Sequence, residues 1–381
     1  MSRSLLPVAA AVALHMALLA GYLAAFHGDL SALVCVGQKQ IGTPPYEAVR
    51  VGFATGGFDG QFYYAIARNP WTWHAAELDV PAYRHVRLLY PALAWVLSGG
   101  GDPQRLFWAL PLINLAAIAG LAWLGVRLAR HYHVNVWWGF VLPLAVNDGM
   151  PLLRDLTDPL ATFALCGLLA SWLLGGKWHH LALWTVAALF SREQNVAMVL
   201  VVLAAALGTG RYRTAAALVA ILALWSGWAV LLHAGYGAWP VLPRSDYFFG
   251  VPFKGMWFRW TNLGFSGSRV SAGLHFCRMV LLTLHCGLAV YLAARTPDRV
   301  VAFLALGGVA LAVLTGMASY EDAWSYTRVF VWVPLAVWLA GTRLHLSRPL
   351  WLLVPVAVWP LVAVATAWLA WPHVSNVRHG I

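Results

Sequence analysis

Long apolar runs recur along the chain, and they restrict what it can fold into more than any other feature. Leu5–Phe26, Leu106–Val126, Ala215–Leu232, Val300–Ala318 and Trp351–Trp371 approach or reach the ~20 apolar residues needed for a helix to cross a bilayer. Only 10% of the 381 residues are charged and 61% are hydrophobic, whereas a soluble domain carries roughly 25% charged residues. The sequence predicts an all-α integral membrane protein that crosses the bilayer many times.

The first run follows Arg3 and exceeds the ~7–15 apolar residues of a secretory leader, with no A-x-A cleavage site behind it. It reads as an uncleaved first helix with its N-terminus in the cytoplasm. The net charge of +11 does not point to nucleic acid. The basic residues form no run or stripe; they stand singly and in pairs between apolar segments, as loop charges of a membrane protein do. Only Lys39, Lys177 and Lys254 among the 25 basic residues are lysine, a bias that suggests a GC-rich bacterial genome. Cys35, Cys166, Cys277 and Cys286 make no C-x-x-C, so they offer neither a metal framework nor a disulfide scaffold, although the outer face leaves room for a Cys35–Cys277 bridge.

Placing basic loops inside threads the segments along one path. Leu5–Phe26 leads outward, and Leu106–Val126 returns to Arg127 and Arg130. Val136–Leu152, Pro159–Leu174, Leu181–Phe190, Val196–Leu207, Thr214–His233, Phe276–Leu292, Val300–Ala318, Val329–Ala340 and Trp351–Trp371 follow, about eleven spans in one membrane domain over residues 1–381. Leu88–Leu97 is too short to cross and reads as a half-inserted or interfacial helix. A true crossing there would move Lys177, Arg211, Arg213 and Arg343 to the outer side. On this path every acidic residue except Asp298 is external. So are a first outer loop over residues 27–87 and an aromatic outer loop over 234–275. His15 and His285 read as satisfied core histidines.

Within the first outer loop, GFDGQFYYAIARNP (Gly57–Pro70) reads as a tight turn at Gly60 feeding an amphipathic helix, with Phe62, Tyr63 and Ile66 spaced to lie on the membrane surface. Asp59 falls at the helix N-terminus, where a carboxylate also serves as a plain cap. AYRHVRLLYP follows; Arg84 and Arg87 are three apart and on a helix would share a face. Guanidinium forks suit phosphate oxygens, and they also suit lipid headgroups in general. RDLTDP supplies Arg154, Asp155 and Asp158, and SREQN supplies Arg192 and Glu193 at the tip of two short helices, where the two could simply pair with each other.

D-G-Q-F-Y-Y-x-I-A, Y-R-x-x-R-x-L-Y-P and the D-P of Asp158–Pro159 resemble the polyprenyl-phosphate-sugar-dependent glycosyltransferases of the GT-C fold, above all the bacterial mannosyltransferase-like and aminoarabinose-transferase-like branches. In that family an acid of the first outer loop is catalytic, which the resemblance carries onto Asp59. Many members pair two acids there, whereas Asp59 stands between Phe58 and Gly60. Many also carry a large C-terminal soluble domain, which is not seen in this sequence. The resemblance implies a polyprenyl-phosphate sugar as co-substrate, a glycan, lipid or protein acceptor, and a bacterial inner-membrane enzyme facing the periplasm. It leaves a divalent cation (Mg or Mn) open, and no other cofactor is evident.

The residues fit that chemistry on their own terms. A sugar on a lipid phosphate leaves without needing a proton, so the site requires a carboxylate to accept the proton of the acceptor hydroxyl and fixed positive charge for the departing phosphate. Asp59 fills the first role, and Arg84, Arg87, Arg192 and Arg328 are the candidates for the second. Tyr63, Tyr90, Asp155, Asp158, Glu193, Glu321 and Tyr326 complete the substrate-site candidates, and Tyr247, Phe248, Phe249, Trp257 and Trp260 give an aromatic surface for a prenyl tail. A single displacement would invert the anomeric centre. The competing classes are a transporter or flippase, expected to line a mid-span path with ionisable residues and broken helices, and a non-catalytic envelope scaffold.

Overall fold

A computed structural model of the protein describes residues 5–54, 56–73, 76–241, 249–263, 269–321 and 328–374. The helices are, in order, α1 (Leu6–Ala24), α2 (Gly60–Arg68), α3 (Pro81–His85), α4 (Leu89–Leu97), α5 (Pro103–His131), α6 (Trp138–Ala145), α7 (Gly149–Leu152), α8 (Asp158–Leu173), α9 (Trp178–Ser191), α10 (Val196–Gly208), α11 (Tyr212–Tyr236), α12 (Lys254–Thr261), α13 (Arg269–Arg295), α14 (Arg299–Leu314), α15 (Ala318–Glu321), α16 (Trp332–Arg343), α17 (Ser347–Trp351) and α18 (Val358–Val374). Against them stands a single two-residue parallel pairing among the described residues, Val36–Gly37 (β1) with Gly52–Phe53 (β2).

Five helical stretches among the described residues are long and apolar enough to cross a membrane: Leu6–Ala24, Pro103–His131, Tyr212–Tyr236, Ala272–Arg295 and Ser347–Trp368. Asp158–Leu173, Glu193–Gly208 and Arg299–Leu314 are apolar but shorter. The run Val136–Leu152, expected as one span, is instead interrupted between α6 and α7, where Asn147 takes a φ of 61°. Asparagine tolerates that left-handed conformation, which a helix cannot continue through. At 1.5 Å per residue the nine residues of α4 extend about 14 Å, half of a ~30 Å hydrocarbon core, so α4 is a helix too short to cross.

The chain forms two compact units, one from Met1–Leu124, Asp148–Val241 and Val358–Ile381, the other from Gly125–Asn147 and Leu242–Ala357. In the first, α1 packs on α18, and the Trp368 indole donates to the Gly21 carbonyl at 3.0 Å. α8 and α9 form an antiparallel hairpin in very close contact. A Cβ at Gly167 would come 2.3 Å from the Trp184 ring, so only glycine admits that indole between the helices. His15 of α1 uses its Nδ1 on the Ala11 carbonyl at 2.8 Å.

α2 departs from its expected setting. Gly60 through Ala67 are all buried, and Tyr63, Tyr64, Ala65 and Ala67 join Tyr46, Tyr90, Ala94, Leu106, Phe107 and Leu110 in one apolar core. The interfacial helix expected in the first outer loop is therefore an internal one, covered on both faces by protein. On the side that was expected to face lipid, Phe62 and Ile66 pack on Leu78, and Tyr63 meets the edge of Tyr90.

The second unit is built on α13, α14 and α16 packed against one another. Asp298 caps α14, accepting from Val300 N at 2.9 Å and Val301 N at 3.3 Å, and also receives Arg343 at 3.3 Å. His285 bonds the Leu352 carbonyl at 2.9 Å. The stretch 234–275, expected as a loop, contains α12 and the start of α13. Phe249 and Trp257 are exposed on it, while Tyr247 and Phe248 lie outside the described residues.

Candidate functional site

The Asp59–Gly60 pair sets the geometry. A Cβ on Gly60 would fall 2.2 Å from the Arg154 carbonyl oxygen and 2.9 Å from that of Val34. Glycine thus lets the start of α2 butt directly against the Arg154–Asp158 corner, which no other residue would allow. Gln61 ties the same turn down: its Oε1 accepts from Gly37 N at 3.2 Å and its Nε2 donates to the Gly56 carbonyl at 3.3 Å.

Asp59 occupies the N-cap position of α2, yet its side chain makes no capping bond. Its Oδ2 faces Arg84 Nη1 at 3.1 Å, with a quarter of the Asp59 side chain still exposed. Arg84 gives its other edge to Asp79, Nε to Oδ1 and Nη2 to Oδ2, both at 2.8 Å. Its guanidinium lies 4.7 Å from the Phe62 ring centroid. Arg154 stacks at 3.7 Å on Phe58, the residue before Asp59. Burial disfavours the Arg84 cation, but the Asp59 and Asp79 carboxylates outweigh that and hold it firmly charged.

α3 ends at His85, so Arg84 and Arg87 do not share a helical face as their spacing suggests. Arg87 turns into the protein and gives Nε and Nη2 to the two carboxylate oxygens of Glu193 at 2.7 Å each, and Nη1 and Nη2 to the hydroxyls of Tyr63 at 2.8 Å and Tyr83 at 2.5 Å. Burial raises the Glu193 carboxyl, but the Arg87 guanidinium, with help from Arg192, overrides it and brings the group down to about 2. Arg192 bonds Asp158 Oδ1, and both side chains are buried. The self-contained Arg192–Glu193 pair considered from the sequence is thus replaced by two pairs between residues distant in sequence, Arg87–Glu193 and Arg192–Asp158.

Beneath them, Asn114 of α5 donates to the Tyr90 hydroxyl and the Leu156 carbonyl, each at 3.0 Å, and the Tyr90 hydroxyl donates to the Leu110 carbonyl at 3.1 Å. Asp155 adopts a φ of 46° and is fully buried, with no hydrogen-bond partner on either carboxylate oxygen among the described residues. Burial pushes its carboxyl well above the usual range. Asp148 is buried as well.

Asp59, Tyr63, Arg84, Arg87, Tyr90, Asp155, Asp158, Arg192 and Glu193 are thus gathered in the first unit. Glu321 and Arg328 belong to the second, where the Glu321 main-chain carbonyl accepts from Arg259 at 2.7 Å. Tyr326 lies outside the described residues. Sequence reading passed over Asp79, Tyr83, Asn114 and Asp148. The only signal for the last two was polarity inside an apolar run, Asn114 alone and Asp148 paired with Asn147.

All four cysteines are free; Cys35 is buried, with its thiol on the Ala32 carbonyl at 3.3 Å, so no Cys35–Cys277 bridge forms. Among the described residues no group of three or more His, Cys, Asp or Glu side chains is placed to hold a metal ion. Comparison of the chain with protein-family models, with curated proteins and with solved structures finds no match.

Proposed function

We propose that the protein is an inverting membrane glycosyltransferase that moves a sugar from a polyprenyl-phosphate donor to an acceptor at the outer face of a bacterial inner membrane. The observation that carries this reading is the setting of Asp59. It is a partly exposed carboxylate with no capping duty, paired with Arg84 in the same unit as the ion pairs Arg87–Glu193 and Arg192–Asp158. On this reading the acceptor oxygen attacks the anomeric carbon, its proton passes to Asp59, and the sugar–phosphate C–O bond breaks to release the polyprenyl phosphate as an anion. Arg84, beside Asp59, is the first candidate to receive the developing phosphate charge. Arg87 and Arg192 serve that charge from beneath while bracing Glu193 and Asp158.

The eleven-span path belongs to the same proposal, with Lys177, Arg211 and Arg343 on the cytoplasmic side and Asp59 and Glu193 outside. Five long apolar helices support a membrane setting, and the positive-inside rule supplies the orientation. The test is conversion of a defined polyprenyl-phosphate sugar in lipid nanodiscs, read by mass spectrometry. Product formation by the wild type that is lost in Asp59→Asn, with donor binding kept, supports the reading. Full turnover in Asp59→Asn removes Asp59 as the base.

A transporter of lipid-linked sugar is the second reading. What favours it is the buried Asp148 at the break between α6 and α7, the kind of interrupted helix that transport sites use.

A further inference from the structure

We propose that Asp79 is a positioning residue that acts through Arg84 to set the basicity and orientation of Asp59. The inference rests on the reading of Asp59 as a proton acceptor, and it adds a residue that the motifs do not include. Arg84 has one fork edge on Asp79, with Nε and Nη2 each at 2.8 Å from a separate carboxylate oxygen, and Nη1 remains to reach Asp59 at 3.1 Å. A bidentate contact fixes the plane of a guanidinium. Asp79 therefore decides which nitrogen meets Asp59, and it keeps the meeting to one nitrogen on one oxygen. Phe62 beneath the guanidinium, 4.7 Å away, and Tyr83 beside it at 5.6 Å limit its tilt.

The arrangement has an electrostatic consequence. A carboxylate beside an unshared arginine is a poor base, because the cation holds its proton affinity down. Here the cation is shared with a second carboxylate, so Asp59, Arg84 and Asp79 together carry one net negative charge. Asp59 keeps its orientation and recovers basicity. The logic is that of a base oriented by a third group, with arginine as the intermediary. Among the described residues, the charged or titratable groups around the trio include Arg154, stacked on Phe58, then Tyr63 and Tyr83, with the Arg87–Glu193 pair behind them. The side chains of that pair neutralise each other.

Asp79 is nearly half exposed at its side chain, so replacing it spares the core. In Asp79→Asn, Arg84 is free to turn both edges onto Asp59. Infrared carboxylate bands, isolated for Asp59 as the difference from Asp59→Asn, follow the titration of that group in the full-length protein in nanodiscs without any substrate. The Asp59 titration midpoint is expected to fall by about one unit in Asp79→Asn, a tenfold loss of proton affinity, and to return toward wild type in Asp79→Glu, which retains a carboxylate fork. An unchanged midpoint in Asp79→Asn, or no recovery in Asp79→Glu, overturns the proposal. Turnover of a polyprenyl-phosphate sugar is read in parallel: kcat should fall in Asp79→Asn with little change in KM. If the midpoint shifts while even the wild type turns over no donor, the positioning role stands and the glycosyltransferase reading fails.

Discussion

Arg87 grips Glu193 with two parallel bonds, Nε to Oε2 and Nη2 to Oε1, each 2.7 Å, across 106 residues of chain. The pair joins the segment after α3 to the tip between α9 and α10. The Tyr63 and Tyr83 hydroxyls complete the arginine's bonding. The arginine is 2% exposed at its side chain and the glutamate 20%, so this is a pair whose halves cannot be removed one at a time without cost.

Glu193→Gln should accordingly destabilise the protein by about 3 kcal/mol, the low end of what an uncompensated buried charge costs, given the partial exposure of Glu193. A thermal melt in detergent checks it. The pH dependence has a definite sign. The folded-state carboxyl sits near 2, below its unfolded value of about 4.3. The pair's stabilisation is therefore complete above about pH 4.3 and is lost as pH falls toward 2. Wild type should lose stability across that window, and Glu193→Gln should lose distinctly less. Parallel pH curves for the two proteins would show that Glu193 is not held charged by Arg87.

Asp59 offers a cleaner separation of stability from chemistry. Its side chain caps nothing, and Asp79 keeps Arg84 paired when Asp59 is changed, so Asp59→Asn should cost no more than the ~1 kcal/mol of a partly exposed ion pair. Turnover, by contrast, should fall by roughly 10²–10⁴ as for a lost general base. A variant that melts early and retains its turnover would return Asp59 to a structural role.

Gly60→Ala tests the seat of the site. A methyl group there would lie 2.2 Å from the Arg154 carbonyl oxygen, a backbone atom that cannot swing aside. The start of α2 must then move off the Arg154–Asp158 corner, at an expected cost of about 1–3 kcal/mol. Because Asp59 precedes Gly60 directly, activity should fall further than stability alone explains. Equal melting curves for Gly60→Ala and wild type would contradict the close approach.

The helices were legible because a bilayer-length apolar run leaves the backbone little choice, and α1, α5 and α11 coincide with such runs. The break at Asn147 was not, since Val136–Leu152 is apolar on both sides of one polar pair and its periodicity does not register a single left-handed residue. The surface placement of α2 failed for a related reason. Aromatic residues at helical spacing suit a membrane interface and a protein interior equally, and only the tertiary fold shows that Tyr63 and Tyr64 are covered. In the site, Asp59, Arg84, Arg87 and Glu193 stood out as charges that an apolar chain would otherwise shed. Their partners did not, because contacts such as Arg87–Glu193 and Arg192–Asp158 depend on how distant helix ends meet. Asp79 sits in a polar stretch where one more acid draws no notice.

Asp155 gives the last prediction, and its sign is opposite to that of Glu193. It is fully buried, neither carboxylate oxygen has a hydrogen-bond partner among the described residues, and burial holds its carboxyl well above the usual range. The folded state therefore keeps the proton that the unfolded chain releases near pH 3.9. Stability from this group is complete below that pH and declines as pH rises toward the folded-state value. Asn is close in shape and cannot ionise, so Asp155→Asn should remove the decline and melt higher than wild type at pH 7 to 8, while the two converge near pH 4. Melting curves from pH 4 to 8 in one detergent test both halves. If Asp155→Asn instead melts below wild type at every pH, the carboxylate is ionised and paired in the folded protein, and the neutral-acid description of the corner beside Asp59 is wrong.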